Sequence, residues 1–422
     1  MLDSIVIGAG MAGLTAARRL AASGLGCLVV EGRDRIGGRV HSVRDFAGTP
    51  VEAGAEFVHG SGARTWPDIE AAGLKTRPCP LVRDTMFNIG HGTKWLPWTL
   101  MHPSVWPTFP ILGQLRRFQA PDISARKFLD QRGYKGRART FAKMTLTAHL
   151  PGHIDEIGVM GLAADGVLTL ETGLNHRLDQ GYDSLPAHIA RGLDIRLGFT
   201  VEHVEWGPEG VRLRSTEGEE LETRSAVVTL PVGVLRSGQV RFEPQLPTDK
   251  RLALSAIVMG PVGKVLLKFS EPFWPTWAAN ICCGTGPFTL YWPVFYGSGQ
   301  DTEAVLIAYA TGPRATLLSG MSEDRVAGAA TADLERLFPG SGAAAKLISH
   351  RRIDWTTDPY SRGGYTFLVP SGVGARQALA APDTGPLFWA GSATEMAPIA
   401  ATVEAAYSSG LRAAGEVERL LG

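Results

Sequence analysis

The sequence predicts an α/β protein of two interleaved units, and three observations carry that prediction. The first forty residues read as strand, glycine turn, helix and strand. Polar–apolar alternation recurs between residues 200 and 230, as in half-buried strands. Helical periodicity returns after residue 322 and again at the C-terminus.

The elements follow in chain order. Ser4–Ile7 is a short apolar strand, and Gly8-Ala9-Gly10-Met11-Ala12-Gly13 is the turn after it. Leu14–Ser23 is a helix with Leu14, Ala17 and Ala21 on one face, ended by Gly24–Gly26. Cys27–Val30 is the second strand, closing on Glu31. Thr200–Trp206, Val211–Ser215 and Glu220–Thr223 alternate like strands, with turns at Gly207–Gly210 and Glu217-Gly218. Val227–Leu230 and Gly263–Phe269 are further strands. Ser322–Phe338 is an amphipathic helix with Ser322 as N-cap and Pro339-Gly340 as its stop, and Thr402–Leu421 is a helix with small residues on its packing face. Between Pro78 and Pro121, Pro, Trp and Thr dominate and periodicity is weak.

Composition narrows the class. A chain of 422 residues has room for two or three domains, and 44% hydrophobic with 20% charged residues is the profile of a globular enzyme. A formal net charge of +1 gives no electrostatic reason to expect nucleic acid or an anionic membrane as partner. The four cysteines, Cys27, Cys79, Cys282 and Cys283, form no CxxC pair. They read as reduced thiols rather than a disulfide framework or a metal site, which predicts a cytoplasmic protein. The apolar run Ile5–Ile7 leaves no room for a signal peptide before it, and no stretch of about 20 apolar residues predicts a membrane span.

Gly8, Gly10 and Gly13 form GxGxxG between a strand and a helix, and the acid Glu31 ends the next strand. That context marks a Rossmann-type dinucleotide site. Gly8 permits the tight turn, Gly10 lets a pyrophosphate approach N–H groups at the helix N-terminus, and Gly13 lets helix and strand lie close. Glu31 suits the adenosine ribose hydroxyls and would repel a 2′-phosphate. The run Glu31-Gly32-Arg33-Asp34-Arg35-Ile36-Gly37-Gly38-Arg39 adds arginines beside the pyrophosphate, among them Arg33 and Arg39, and so predicts FAD rather than NAD.

From here the chain resembles the flavin-containing amine oxidases: monoamine oxidases, polyamine oxidases and lysine-specific histone demethylases. Besides the Glu31–Arg39 run, the resemblance is carried by Gly54-Ala55-Glu56-Phe57-Val58-His59-Gly60, Val227–Leu235, Gly263–Phe269 with Pro272-Phe273-Trp274, Trp355–Tyr365, and Phe388–Gly391 with Thr402-Val403-Glu404 and Ser409-Gly410. It implies non-covalent FAD held by Gly8, Gly10, Gly13, Glu31, Arg33, Arg39, Gly54, Ala55, Glu56, Val204, Trp355, Gly391, Ser392, Thr402 and Val403. It also implies hydride transfer from the carbon α to an amine nitrogen onto flavin N5, imine hydrolysis, and reoxidation by O2 to H2O2. Lys264 would hold a water near N5, Tyr365 would form one wall of an aromatic cage, and His59 would reach the substrate amine.

Three departures refine the expectation. Gly364 stands where monoamine oxidases carry the cysteine joined to the flavin. Thr402 stands where their second cage tyrosine aligns, so the expected cage is one-sided. Ser392 replaces the family's usual acid. These features favour the polyamine-oxidase branch, with Glu171 and Thr402 as substrate contacts and Glu171 as the carboxylate for a polycation. Within the same chemistry an L-amino-acid oxidase is the alternative; it needs a fixed arginine for the carboxylate, and none stands out in the sequence. A carotenoid-desaturase-like oxidoreductase and a redox-silent FAD scaffold are the others. The expected division is a FAD unit of residues 1–75, 187–245 and 368–422 and an α+β substrate unit of 76–186 and 246–367, a mixed sheet backed by helices, in a monomer or homodimer. A small amine and O2 are the expected partners.

Overall fold

A computed structural model describes the chain except residues 81–82, 91, 120, 149, 166–173, 300–302, 383–384 and 396–399. The N-terminal unit forms as the sequence predicts. Strand Leu2–Ile7 leads through the glycine turn into helix Met11–Ala22, and strand Cys27–Val30 returns parallel to the first. Ile5, Val6, Leu14 and Leu20 are wholly buried, each such Leu or Ile contributing about 1.5–3 kcal/mol of burial.

These strands belong to an eight-stranded sheet. Its parallel part runs Asp194–Arg196, Cys27–Val30, Leu2–Ile7, Glu220–Val228. Glu220–Val228 merges the predicted strands at 220–223 and 227–230 into one. Its first half pairs antiparallel with Gly210–Ser215, and its last three residues pair parallel with Leu387–Trp389. No glycine or proline lies between the halves, so nothing stops the ladder.

The second large sheet has seven strands in the order Leu347–Asp354, Val262–Phe269, Ala304–Thr311, Leu290–Pro293, Asn280–Cys283, Thr85–Asn88, Thr93–Trp95. All neighbours are antiparallel except Asn280–Cys283 with Thr85–Asn88, so the sheet is mixed. Helix Glu323–Leu337 covers one face through Val326, Ala330 and Leu334, which pack with Val265, Leu267 and Phe269. Ser322 takes the extended N-cap conformation, but its side chain makes no capping bond. The segment with weak periodicity holds short strands and helices, among them Thr85–Asn88, Leu96–Leu100 and Ile111–Arg116, and helices Ala125–Gln131 and Gly136–Thr147 follow it around Phe128, Leu129 and Leu146.

Two smaller pairings bring the chemistry together. Strand Ile257–Gly260 pairs with Tyr365–Leu368, placing Gly260 opposite Tyr365. Strand Asn175–Leu178 lies between Val58–His59 and Thr76–Cys79. The C-terminal helix Val403–Leu421 packs on Met11–Ala22. A Cβ on Gly410 would stand 2.3 Å from the Ala12 carbonyl oxygen, so the contact requires a glycine.

Candidate active site

The glycine turn and the arginine run fold onto one another. Gly8 has φ +110° and donates to Val30 O at 2.7 Å. A Cβ on Gly13 would fall 1.9 Å from Gly8 O, so the helix lies as close to the turn as backbone allows. A Cβ on Gly10, by contrast, would meet nothing within 4 Å. Gly10 is the N-cap of the helix and lends it no side-chain cap, so open space faces the first-turn N–H groups. Gly37 N donates to Ala9 O at 2.8 Å, which seats the second glycine pair against the first turn. Glu31 is buried; its Oε2 accepts from Ala9 N at 2.8 Å and its Oε1 from Arg33 N at 3.0 Å. A carboxylate offers about four acceptor positions, so two remain for ribose hydroxyls.

The arginines divide their work differently from the expectation. Arg33 makes a two-pronged pair with Asp358, at 2.9 and 2.5 Å, and lies over the Tyr360 ring at 5.0 Å. Its fork serves that ion pair rather than a phosphate. Arg39 donates to Gly364 O at 2.7 Å and reaches Ser392 Oγ at 3.5 Å. Among the described residues it has no carboxylate partner. Burial, helped by the charge of Arg33, pulls its pKa down to about 10. A buried guanidinium lacking a counter-charge is suited to an anion, and the pyrophosphate of FAD supplies one.

A small cavity lies beside Arg39, lined also by Thr229, Leu230, Met259, Trp389, Gly391 and Ser392. Gly391 has φ +130° and donates to Ser409 Oγ at 2.8 Å. Thr402 caps the C-terminal helix, its Oγ1 accepting from Ala405 N at 3.1 Å, and Val403 begins that helix. Capping gives Thr402 a local task. Val204 sits wholly buried in the apolar core, paired with Leu213 and Phe242, away from the Glu31 turn. The residues of that segment beside the turn come earlier: Phe199 N donates to Glu31 O, and Thr200 lies against Gly32.

Segment 52–56 connects the nucleotide site to the second sheet. A Cβ on Gly54 would stand 1.8 Å from Arg39 O, and Ala55 N donates to that same oxygen at 3.0 Å. Trp355 Nε1 donates to Ala53 O at 2.9 Å. Lys264, 4% exposed, donates to Glu52 O, Gly54 O and Glu56 Oε2 at 3.0, 2.8 and 3.1 Å. All three ammonium hydrogens are thus taken, so Lys264 pins this segment instead of presenting a free donor for a water.

Glu56 is equally committed. Arg177 Nε donates to its Oε1 at 2.9 Å, and Trp292 Nε1 bonds both oxygens at 2.9 and 3.0 Å. Burial opposes its ionisation, but the charges of Lys264 and Arg177 overcome that and hold its pKa below the usual value. Its carboxylate therefore serves this cluster, not the cofactor directly.

Tyr365 is not a lone wall. Tyr309 Oη donates to Tyr365 Oη at 3.0 Å, the Trp292 and Tyr309 rings lie 5.3 Å apart, and Phe57 lies 6.2 Å from Trp292. Tyr309 faces Lys264 across the sheet, as its register partner. A second hydroxyl-bearing aromatic beside Tyr365 thus comes from strand Ala304–Thr311. His59 bonds Asn175 Oδ1 through Nδ1 at 3.0 Å, and its ring lies 6.4 Å from Phe57. Its residue surface is open at one edge, while the protein around the imidazole depresses its pKa by burial, against the Asn175 bond. Glu171 lies outside the described residues.

Sequence reasoning missed Tyr309, Trp292, Asn175 and Arg177. A signal existed for one: Tyr309 is the single hydroxyl-bearing aromatic in the apolar run Ala304–Thr311. The other three are brought in by strand pairing alone.

A dinucleotide turn, an anion-seeking Arg39 and an aromatic cluster at its far end define an FAD-dependent oxidoreductase. A model of the family described as flavin containing amine oxidoreductase matches residues 11–158 and 108–418, and the chain belongs to that family. It is 29% identical to Polyamine oxidase 3 of Oryza sativa subsp. japonica, across 98% of this chain and 88% of that protein. It is 26% identical to Lysine-specific histone demethylase 2 of Homo sapiens, across 98% of this chain and 53% of that one. Its fold matches cyclohexylamine oxidase from Brevibacterium oxydans IH-35A with TM-score 0.86 at 21% identity, over 100% of this chain and 99% of the other.

Proposed function

We propose that the chain oxidises a small primary or secondary amine seated against Tyr365, Tyr309 and Trp292. The observation that carries this reading is the chain of contacts Tyr365–Tyr309–Trp292–Glu56–Lys264, which ends on the same segment that packs against Arg39. FAD, when bound, would supply the redox chemistry: a hydride acceptor for the carbon α to nitrogen, with O2 as final oxidant, water hydrolysing the resulting imine, and H2O2 as the reduced product. The protein's own part is binding and orientation. Arg39 and the N–H groups after Gly10 would hold the pyrophosphate, and Glu31 the ribose. The π faces of Tyr365 and Trp292 would attract residual ammonium character and orient the α carbon. His59, fixed by Asn175 and kept neutral near pH 7 by burial, is a candidate acceptor for the amine proton.

The polyamine-oxidase relatives support an aliphatic amine. The division into a FAD unit of 1–75, 187–245 and 368–422 and a substrate unit of the remainder is supported by the eight-stranded sheet, all of whose strands fall in the first set. A cytoplasmic location is proposed on the four free thiols; among the described residues no helix is long and apolar enough to cross a membrane. The test is a visible spectrum of the purified protein followed by peroxide measurement with spermidine, spermine, putrescine, benzylamine and L-amino acids. Flavin absorbance with peroxide from at least one amine is the expected result. A yellow protein silent to every amine would reject it in favour of a desaturase or scaffold.

A further inference from the structure

Arg177 is 3% exposed, and its Nη1 and Nη2 are buried without a hydrogen-bond partner among the described residues. Only its Nε is used, on Glu56. Buried guanidinium groups are normally saturated, so two idle terminal nitrogens on one side chain call for an explanation. The charge count around them is uneven. Among the described residues, Lys264 and Arg177 grip the two oxygens of one carboxylate, Glu56, which leaves one buried cation in excess. Arg77, the register partner of Arg177 on the next strand, adds further positive charge; its carboxylate, Asp179, stands 3.6 Å away. The Arg177 guanidinium lies 4.9 Å over the Phe57 ring, which neighbours His59 and Trp292. Asn175, the partner of His59, projects from the same face of the same strand two residues earlier.

Resting on the amine-oxidising reading above, we infer that Arg177 is a specificity residue that binds a carboxylate on the substrate, so that the substrate is a small amino carboxylate rather than a diamine or polyamine. Two parallel N–H donors on a planar fork match the two oxygens of a carboxylate, and the surplus positive charge favours that anion. The distal ammonium of a diamine would instead meet an uncompensated cation. Arg177 and Lys264 hold opposite oxygens of a single carboxylate, so acid and amine must lie close together in the substrate, within a chain of a few carbons. This is the fixed arginine that an amino-acid-oxidising enzyme requires.

The test compares matched pairs on the holoenzyme: 4-aminobutanoate with butane-1,4-diamine and 5-aminopentanoate with pentane-1,5-diamine, equal in carbon number, and L-leucine with 3-methylbutylamine, the same amine without the carboxylate. Peroxide formation gives kcat and KM, and pentanoate titrated against the bound flavin gives carboxylate binding without turnover. The amino carboxylate should win in at least one pair by tenfold or more in kcat/KM. Arg177→Met should raise the KM for amino carboxylates about a hundredfold more than it raises the KM for amines, the size of one charge-assisted two-pronged contact. It should abolish the pentanoate difference spectrum. Arg177→Lys, which keeps the charge and loses the fork, should fall between. If the amines win in every pair and pentanoate leaves the spectrum unmoved, the inference is overturned while amine oxidation stands. If pentanoate binds through Arg177 and nothing in the panel is oxidised, the carboxylate site survives and the oxidase reading fails. The comparison within the wild-type protein holds even if the Met variant fails to fold.

Discussion

Glu52 illustrates how one buried group sets a pH response. Its carboxyl is 8% exposed, its Oε1 accepts from Tyr182 N at 2.8 Å, and its Oε2 bonds Ser42 Oγ at 2.7 Å. Burial outweighs those bonds and raises its pKa to about 8. The folded protein therefore binds more protons than the unfolded chain between the ordinary carboxyl value and about 8. The Glu52 contribution is fully present at acidic pH and is lost as pH rises through that interval, at up to about 1.4 kcal/mol per pH unit. Denaturation midpoints measured from pH 5 to 9 should fall with pH, and Glu52→Gln should remove most of that slope. An unchanged slope in the variant would refute the assignment. Lys264 acts through structure as well as chemistry. Lys264→Met strips one of two cations from buried Glu56, and should cost up to about 3–5 kcal/mol in urea unfolding. A variant with wild-type stability would contradict the contacts described. The resemblance singled out Lys264; the sequence did not show that all three hydrogens are already taken, because two of the acceptors are backbone carbonyls some 210 positions away.

The glycine turn separates folding from binding. A side chain at Gly13 collides with Gly8 O, whereas one at Gly10, whose φ is −76°, collides with nothing in the protein. Gly13→Ala should fold poorly or not at all. Gly10→Ala should fold with an unaltered circular dichroism spectrum and lose FAD, because its methyl occupies the space in front of the helix. Equal FAD affinity in Gly10→Ala and wild type, by fluorescence titration, would show that the pyrophosphate binds elsewhere. The first strand, helix and second strand were legible because their signals are local: apolar runs, helical spacing and glycines within thirty residues. The Thr402 cap was not read from the sequence, which put Thr402 inside the helix; Thr402→Ala should cost about 1 kcal/mol. The aromatic cluster was only half legible. Tyr365 stood in a motif, but Tyr309 and Trp292 reach it through neighbouring antiparallel strands, and no local pattern encodes that pairing. Nor did spacing alone place the segment beside Glu31, which contacts residues 199 and 200 rather than Val204.

Two arginines tie the nucleotide turn to the segment that carries Tyr365. Arg33 pairs with Asp358, and Arg39 donates to Gly364 O, directly before the tyrosine. FAD held by Arg39 would therefore be coupled to placement of the tyrosine. Asp358→Asn should weaken the pair by about 1–3 kcal/mol and leave Arg33 without its counter-charge. The expected outcome is a lower thermal midpoint together with a higher KM for the amine, and a change in FAD affinity alone would contradict the coupling. The two-sheet architecture was predictable in class, since alternation and helical periods were both present. The way its units converge was not, because it rests on pairings between distant segments. The most direct test is a crystal structure of the FAD-loaded protein. The account places the isoalloxazine between Lys264 and Tyr365, with the ribose on Glu31 and the pyrophosphate between Gly10 and Arg39. An isoalloxazine lying out of contact with both Lys264 and Tyr365, even with the adenosine half bound at Glu31, would contradict it.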